Sequence, residues 1–415
     1  MVRLRLTGAG RGWSLALPRR IRPVASGLAL AFVAAGLTAC ASDKIASSIR
    51  VTPAKTKIAK KKQPQPPAVV QTAAVAPTAA VASTGAIAPV LAPPQLDEAK
   101  LAALKEKYRR PATPPPTPAS NPLTPASVEL GRHLFVDANL SMNRTKSCQS
   151  CHLPNAAWAD HHAKPVADNG VPMSRRSQTL LDVAWQEVLL WDGRTDSLEK
   201  LVPGPLSSPL IMGLPMEQAV QRVSDNPEFK QMFAKAYPGD GIKPDTLSAA
   251  LSSYMRTIQS PRTRFDHWVD GDDKALTANE TRGFVLFNGK ANCATCHSGW
   301  RFTDEGFRDI GLRDTADPGR GKLLAGIESM TYAFKTPTLR GSSERAPYMH
   351  DGSLPTLESV VDHYDQGGIK RPSLSTDMYP LHLSQDEKQD LIAFLKTLSP
   401  GAAAPDATIA ATTRD

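Results

Sequence analysis

The sequence predicts an all-α fold of two domains in tandem, with long loops. Three observations lead there. The pattern C-x-x-C-H occurs twice, as "CQSCH" (148–152) and "CATCH" (293–297). Each copy follows a stretch with a shared G-x-x-L-F ending, "ELGRHLF" (129–135) and "TRGFVLF" (281–287). Each unit then closes on a run with helical apolar spacing, "LSAALSSYMRTI" (247–258) and "SQDEKQDLIAFLKTL" (384–398).

The helix boundaries follow from the flanking residues. The helix before the first motif has Thr124 as its cap and Pro125 at its first position; proline fits there because that N–H has no helical partner anyway. The helix before the second motif opens with "TANE", a capping box from Thr277 to Glu280. The last helix opens with Ser384 and Glu387 and stops at Pro400-Gly401.

The chain has five cysteines: Cys40, Cys148, Cys151, Cys293 and Cys296. Two thiols followed at once by an imidazole could close a disulfide, hold zinc or carry a haem. C-x-x-C-H is the signature of covalent c-type haem attachment. Each thiol forms a thioether with one vinyl group, and the next residue, His152 or His297, is placed to reach the iron as proximal ligand. Zinc would instead gather these residues into one tetrahedron, and a redox dithiol does not need the histidine. We therefore expect two covalently bound haem c groups. A helix before each haem and one closing each unit is how a small cytochrome c core encloses its porphyrin. The fold class is thus all-α, two tandem cytochrome c-like haem domains with long loops.

The remaining cysteine concerns the address. Residues 1–22 carry six arginines and no acid, and an apolar run follows, "VASGLALAFVAAGL". That run falls short of the ~20 residues of a membrane span but suits a signal-peptide core. It ends in "LTAC", which resembles a bacterial lipobox, so Cys40 would be lipidated; a plain signal peptide cut near Ala39 is the alternative. Residues 41–96 are rich in Ala, Pro and Lys without an aromatic residue. Such a stretch cannot bury enough apolar surface to order itself, and as a coil it would span roughly 40 Å. The expected organisation is a lipoprotein-type signal peptide (1–40), a tether (41–96), an N-terminal haem domain (97–270), a C-terminal haem domain (271–400) and a disordered tail (401–415). Export agrees with haem attachment, which in bacteria takes place outside the cytoplasm. The expected location is the periplasm, anchored by lipid to a membrane, the outer one by preference.

The net charge of +9 belongs to the leader and tether. Residues 1–122 hold 18 Lys+Arg against 4 Asp+Glu, while the rest holds 31 against 36. The folded part is mildly acidic, and nothing in it points to nucleic acid. The tether lysines read as a solvated linker, with contact to anionic lipid or cell wall as the alternative.

From about Tyr108 to Leu398 the chain resembles the bacterial dihaem cytochrome c peroxidase family, including its MauG-type enzymes. The matching stretches, in order, include "NPLTPASVELGRHLFVDANLS", "LLWDGRTDSLE", "FDHWVDGD", "FNGKANCATCHSGWRFTDEGF", "FKTPTLRG" and "APYMHDGSLPTLESVVDHYDQGG". The resemblance implies that Cys148, Cys151 and His152 hold a peroxide-side haem, and that Cys293, Cys296 and His297 hold an electron-side haem. It places Trp191 between them as the electron-transfer tryptophan. Tyr364 falls on the distal ligand of the C-terminal haem, where the family uses Met or, in MauG-type proteins, Tyr; a phenolate there would lower that haem's potential. Met349 is the competing ligand, with Met330 behind it.

The chain also departs from that pattern. The family has a Gln ten residues after the tryptophan and a Glu twenty after, polar groups that move the proton of peroxide. Here those positions are Leu201 and Ile211, and a hydrocarbon pair cannot act as acid or base. His161 and His162, nine and ten residues after His152, are the candidate replacements, as distal base or iron ligand; nine residues reach up to ~30 Å when extended. The family usually binds calcium between its domains. Arg176 and Arg345 occupy two of the matching positions, and Arg176 offers no oxygen ligand, so calcium is not expected. The arginines would take the cation's place, paired with Asp351 or a haem propionate.

Two functions follow. One is a periplasmic peroxidase or MauG-type oxidase, with hydrogen peroxide as oxidant and a small periplasmic electron-donor protein or a protein substrate as partner. The other is a membrane-tethered electron carrier with both irons saturated by protein ligands, which Leu201 and Ile211 would suit.

Overall fold

The computed structural model describes residues 97–401. The expected signal peptide, Cys40, the tether and the tail from residue 402 lie outside the described residues. Among the described residues the architecture is one two-stranded ribbon, eight single-turn 3-10 segments and eleven α-helices. In order they are α1 (Glu98–Lys107), α2 (Pro125–Val136), α3 (Leu198–Leu201), α4 (Pro203–Ser207), α5 (Met216–Asp225), α6 (Pro227–Ala236), α7 (Pro244–Arg256), α8 (Arg264–Val269), α9 (Ala278–Asn288), α10 (Leu357–Gln366) and α11 (Gln385–Lys396). The strands β1 (Phe307–Arg308) and β2 (Phe334–Lys335) pair antiparallel. No helix among the described residues is long and apolar enough to cross a membrane.

The same helix crossing is built twice. α2 packs on α7 and α9 packs on α11. The glycine of each G-x-x-L-F stretch sits at the crossing: a Cβ on Gly131 would lie 2.0 Å from the Ala250 carbonyl oxygen, and one on Gly283 would lie 2.0 Å from that of Asp390. Only glycine lets the backbones approach so closely. The Leu and Phe that follow, Leu134 and Phe135 in one unit and Leu286 and Phe287 in the other, are buried in two separate cores. The starts are capped as the sequence indicates, by Thr124 on Ser127, Thr277 with Glu280, and Ser384 with Glu387.

The two cores do not divide at residue 270. Tyr108, Phe265 and Trp268 belong to the second core, and Leu101 and Leu104 of α1 pack against it. Tyr108 stacks on Phe302 at 4.8 Å between ring centroids and donates its hydroxyl to Asn288 Oδ1 at 2.8 Å. Arg110 then grips Asp266 and the Ser260 and Pro261 carbonyls. The chain thus passes first through the C-terminal unit, and only from about residue 121 builds the N-terminal one. The expected 97–270 boundary followed chain order, whereas aromatic packing across nearly 200 residues determines where these segments sit.

Candidate functional site

Each C-x-x-C-H motif folds as a single tight turn, Cys148–Ser150 or Cys293–Thr295. The turn closes with the histidine N–H donating back to the first cysteine's carbonyl, at 3.0 Å for His152 and 2.9 Å for His297. Both rings are then fixed alike: Nδ1 of His152 lies 3.2 Å from the Trp158 carbonyl oxygen, and Nδ1 of His297 lies 2.8 Å from that of Phe302. A carbonyl can only accept, so Nδ1 carries the proton and Nε2 keeps its lone pair, the arrangement of metal-ligating histidines. Burial lowers the pKa of both rings, that of His297 to about 4, so both stay neutral. Burial also pushes the Cys148 and Cys293 thiols up to about 12.

Two cavities adjoin these motifs. Cys148, Cys151 and His152 line one; Cys293, Cys296 and His297 line the other. The four cysteines form no disulfide, and motifs placed on separate cavities do not compose one zinc tetrahedron. Two thiols and a free imidazole lone pair at each cavity fit a c-type haem.

The C-terminal cavity is the richer in polar groups. Tyr364, on α10, lines it, with its phenol pKa raised by burial and then by the nearby Cys296 and Cys293 sulfurs. Met349 lines the same cavity from a backbone with φ +69°, so both candidate distal ligands are there. Trp191 is on its wall. The indole N–H donates to the Arg176 carbonyl oxygen at 2.9 Å, and its ring packs edge-on to His350 at 6.3 Å.

The N-terminal cavity is nearly all hydrocarbon. Leu201 and Ile211 both line it, with Val166, Ala167, Leu180, Val202, Leu206 and Leu251 among their neighbours. α3, which carries Leu201, is fixed by Glu199 pairing with both terminal nitrogens of Arg256 at 2.6 and 2.8 Å. His161 and His162 are exposed and do not line the cavity. Asp160 holds His162 away: its Oδ1 accepts from the His162 backbone N–H at 2.6 Å and contacts Nδ1 at 2.5 Å.

Residues 125–274 match the family model described as di-haem cytochrome c peroxidase, and residues 280–399 match the cytochrome c model. The chain is 46% identical over 300 residues to the methylamine utilization protein MauG of Methylorubrum extorquens, covering 72% of this chain and 85% of that one. It is 34% identical over 321 residues to the cytochrome-c peroxidase IdrP1 of a Pseudomonas species, covering 70% and 85%. The chain belongs to the di-haem cytochrome c peroxidase and MauG family. The crystal structure of a MauG-like protein associated with microbial copper homeostasis aligns with a TM-score of 0.68 at 30% identity, covering 74% of this chain and 99% of that one. Membership brings oxidoreductase chemistry and haem c with it.

Within this dihaem frame, Arg176 does something the sequence did not indicate. It pairs with neither Asp351 nor any other carboxylate. Its guanidinium donates to three main-chain carbonyls: Arg345 at 2.9 Å, His162 at 3.2 Å and, closest, Asp160. Arg345 behaves likewise, donating to the carbonyls of Arg340 at 2.7 Å and of Thr338. Burial lowers the pKa of both arginines, and at Arg345 the nearby Arg176 guanidinium lowers it further, to about 10.

Sequence reasoning also passed over Lys335, within "FKTPTLRG". It is buried, lines the C-terminal cavity, and donates its ammonium to Gln186 Oε1 at 2.5 Å and the Val188 carbonyl at 2.6 Å. Its backbone N–H donates to the Trp191 carbonyl oxygen at 2.8 Å. Trp191 is therefore clamped at its indole by Arg176 and at its backbone by Lys335. A lysine between Phe334 and Thr336 in a strand of two residues was the available signal.

Proposed function

We propose that this chain is an exported MauG-type oxidoreductase that takes hydrogen peroxide as oxidant. In this reading electrons or oxidising equivalents pass between two haem domains, 97–270 and 271–400 in chain order but with Tyr108, Phe265 and Trp268 packed into the C-terminal core, and on to a small periplasmic donor protein or a protein substrate. Bound at the two C-x-x-C-H motifs, haem would supply the redox chemistry. Cys148, Cys151, Cys293 and Cys296 would attach it, and His152 and His297 would hold the irons. Tyr364, in preference to Met349, would be the second residue holding the C-terminal iron. Trp191 carries electrons between the sites, held in register by Arg176 and Lys335. Lipid on Cys40 would anchor the protein to a membrane facing the periplasm.

The observation that supports this most is Trp191 on the wall of the cavity that also holds His297 and Tyr364. A second reading, an electron-transfer cytochrome, is favoured by Leu201 and Ile211 lining the N-terminal cavity. Neither side chain can move a proton, and a missing general acid or base typically slows such chemistry by ~10²–10⁴-fold. With His161 and His162 outside the cavity, native turnover with peroxide should be slow. Stopped-flow absorbance after mixing diferric protein with peroxide tests this. Leu201→Gln with Ile211→Glu should speed the reaction by at least one order of magnitude of that range. Fast oxidation of the native protein, unchanged by the double substitution, would show that the hydrocarbon pair does not limit the reaction.

A further inference from the structure

A porphyrin needs hydrocarbon walls, so the lining of the N-terminal cavity does not by itself call for a second occupant. Apart from the motif itself, its polar side chains are Lys146 and Ser147, both just before Cys148 in the attachment segment. What a porphyrin does not account for lies further out, where the hydrocarbon continues from the wall onto the surface. Val166 belongs to both: it lines the cavity and is 42% exposed. Val171 is 48%, Met142 40% and Leu210 65% exposed, the last the highest value for a large apolar side chain among the described residues.

These four residues come from three segments that the main chain ties together. Val166 and Val171 sit on a hairpin in which Val166 bridges Pro172 and Ala167 N–H donates to the Val171 carbonyl. The hairpin is fastened to the loop carrying Leu210: Asn169 Nδ2 donates to the Pro209 carbonyl and Asp168 N–H to the Ile211 carbonyl, both at 2.8 Å. Met142 joins from the other side, its N–H donating to the Met212 carbonyl at 2.9 Å. The carbonyls of Val171, Pro209, Ile211 and Met212 are therefore already engaged, and the rim offers water little beyond its apolar side chains. Single exposed apolar residues are ordinary, but contiguous ones mark a contact site. Here they run directly into Ile211, on the wall where the family's polar pair is replaced.

We propose that the N-terminal site takes, beside hydrogen peroxide, an organic hydroperoxide, and binds it the more tightly of the two. Its alkyl group would lie along Val166 and Leu210, and its O–O bond toward the wall formed by Leu201 and Ile211. This rests on the reading that Cys148, Cys151 and His152 bind haem and that peroxide is the oxidant. The O–O bond breaks; the hydroperoxide takes two electrons, from two equivalents of a reduced one-electron donor protein, and two protons from solvent, and leaves as the alcohol and water. Hydrogen peroxide needs polar partners at both oxygens, and a hydrocarbon wall supplies none. An alkyl group instead gains about fourfold in affinity for each CH₂ it buries. Binding of that non-reacting part offsets some of what the absent acid and base would have contributed.

The first readout needs no turnover. Straight-chain butanol, hexanol and octanol, the redox-inert product class, are titrated calorimetrically into diferric holoprotein. Affinity should rise by about fourfold per CH₂, so by at least about tenfold from butanol to hexanol. Leu210→Glu, at an exposed position that folding tolerates, should remove most of that increment, and Leu210→Met should keep it. The second readout is stopped-flow oxidation of the diferric protein. Hexyl hydroperoxide should react at least about tenfold faster than hydrogen peroxide at equal, low concentration, and Leu210→Glu should narrow the ratio. Affinity independent of chain length overturns the proposal, as does hydrogen peroxide reacting as fast as the hexyl compound. An increment that Leu210→Glu leaves intact also overturns it, and leaves the rim to a protein or membrane partner. The peroxide reading fails differently: alcohols bind with the increment and neither oxidant reacts, and the substrate class then falls with it.

Discussion

Replacing Arg176 by methionine keeps most of the side-chain bulk and removes every donor. Three main-chain carbonyls, at Asp160, His162 and Arg345, would lose their partner. A buried acceptor left unpaired costs about 1–3 kcal/mol, which would sum to several kcal/mol. Two effects reduce the sum. Water can enter beside the exposed loop at 161–164, and the penalty of burying the guanidinium, visible in its lowered pKa, disappears with it. Three unpaired carbonyls less these two reductions leave about 3 kcal/mol for Arg176→Met. At roughly 2–4 °C per kcal/mol for a chain of this size, the melting temperature of the holoprotein should fall by about 6–12 °C, read by circular dichroism. Because the Arg176 carbonyl accepts from Trp191, tryptophan emission should shift before global unfolding. Arg176→Asn offers an oxygen where the guanidinium was, and added calcium should recover part of its loss; the wild type should be indifferent to a calcium chelator. A fall below ~1 kcal/mol in Arg176→Met, or a chelator-sensitive wild type, would refute the view that this guanidinium serves as a built-in cation.

Three further outcomes are expected. A pyridine haemochrome assay should return two haems per chain, and one after Cys293→Ala with Cys296→Ala, because each motif adjoins its own cavity; one or none in the wild type would remove the basis of the functional reading. Tyr364→Phe should change the low-spin spectrum of one haem and raise its potential in spectroelectrochemistry, while Met349→Ala should leave both unchanged; the reverse pattern would move the ligand to Met349. Acid should destabilise the fold through Asp266: burial alone would raise its pKa, but the Arg340 and Arg110 guanidiniums outweigh burial and hold it at about 2. A folded-state pKa below the ordinary ~3.9 contributes stability that is present above pH 4 and lost as pH falls towards 2, so Asp266→Asn should flatten the acid limb of a stability–pH profile over that window.

What the sequence disclosed was what neighbouring residues decide. The turn of C-x-x-C-H, the caps at Thr124, Thr277 and Ser384, and the glycine at each helix crossing all depend on spacings of a few residues. The candidate ligands on the C-terminal cavity were legible through the family resemblance. Three things were not. The seat of Tyr108 depends on Phe302 and Asn288, far along the chain. The three carbonyls that Arg176 caps, at Asp160, His162 and Arg345, meet only in the fold. The outward turn of His162 comes from its bond to Asp160 two residues away. Proximity after a haem motif suggested the histidines, and local hydrogen bonding sets His162 on an exposed loop.

The passage of residues 97–110 through the C-terminal core has a topological consequence. The N-terminal haem unit is an insertion within the C-terminal one, entered and left through the same neighbour. A fragment begun at residue 271 would lack Tyr108, Phe265 and Trp268, which complete its aromatic cluster, and should not fold as an independent cytochrome. During synthesis the order inverts: Tyr108 is made early, yet its partner Asn288 follows 180 residues later. Contacts of such long range form late. The segment nearest the expected tether is therefore among the last to dock, on a C-terminal core whose aromatic rings are already in place.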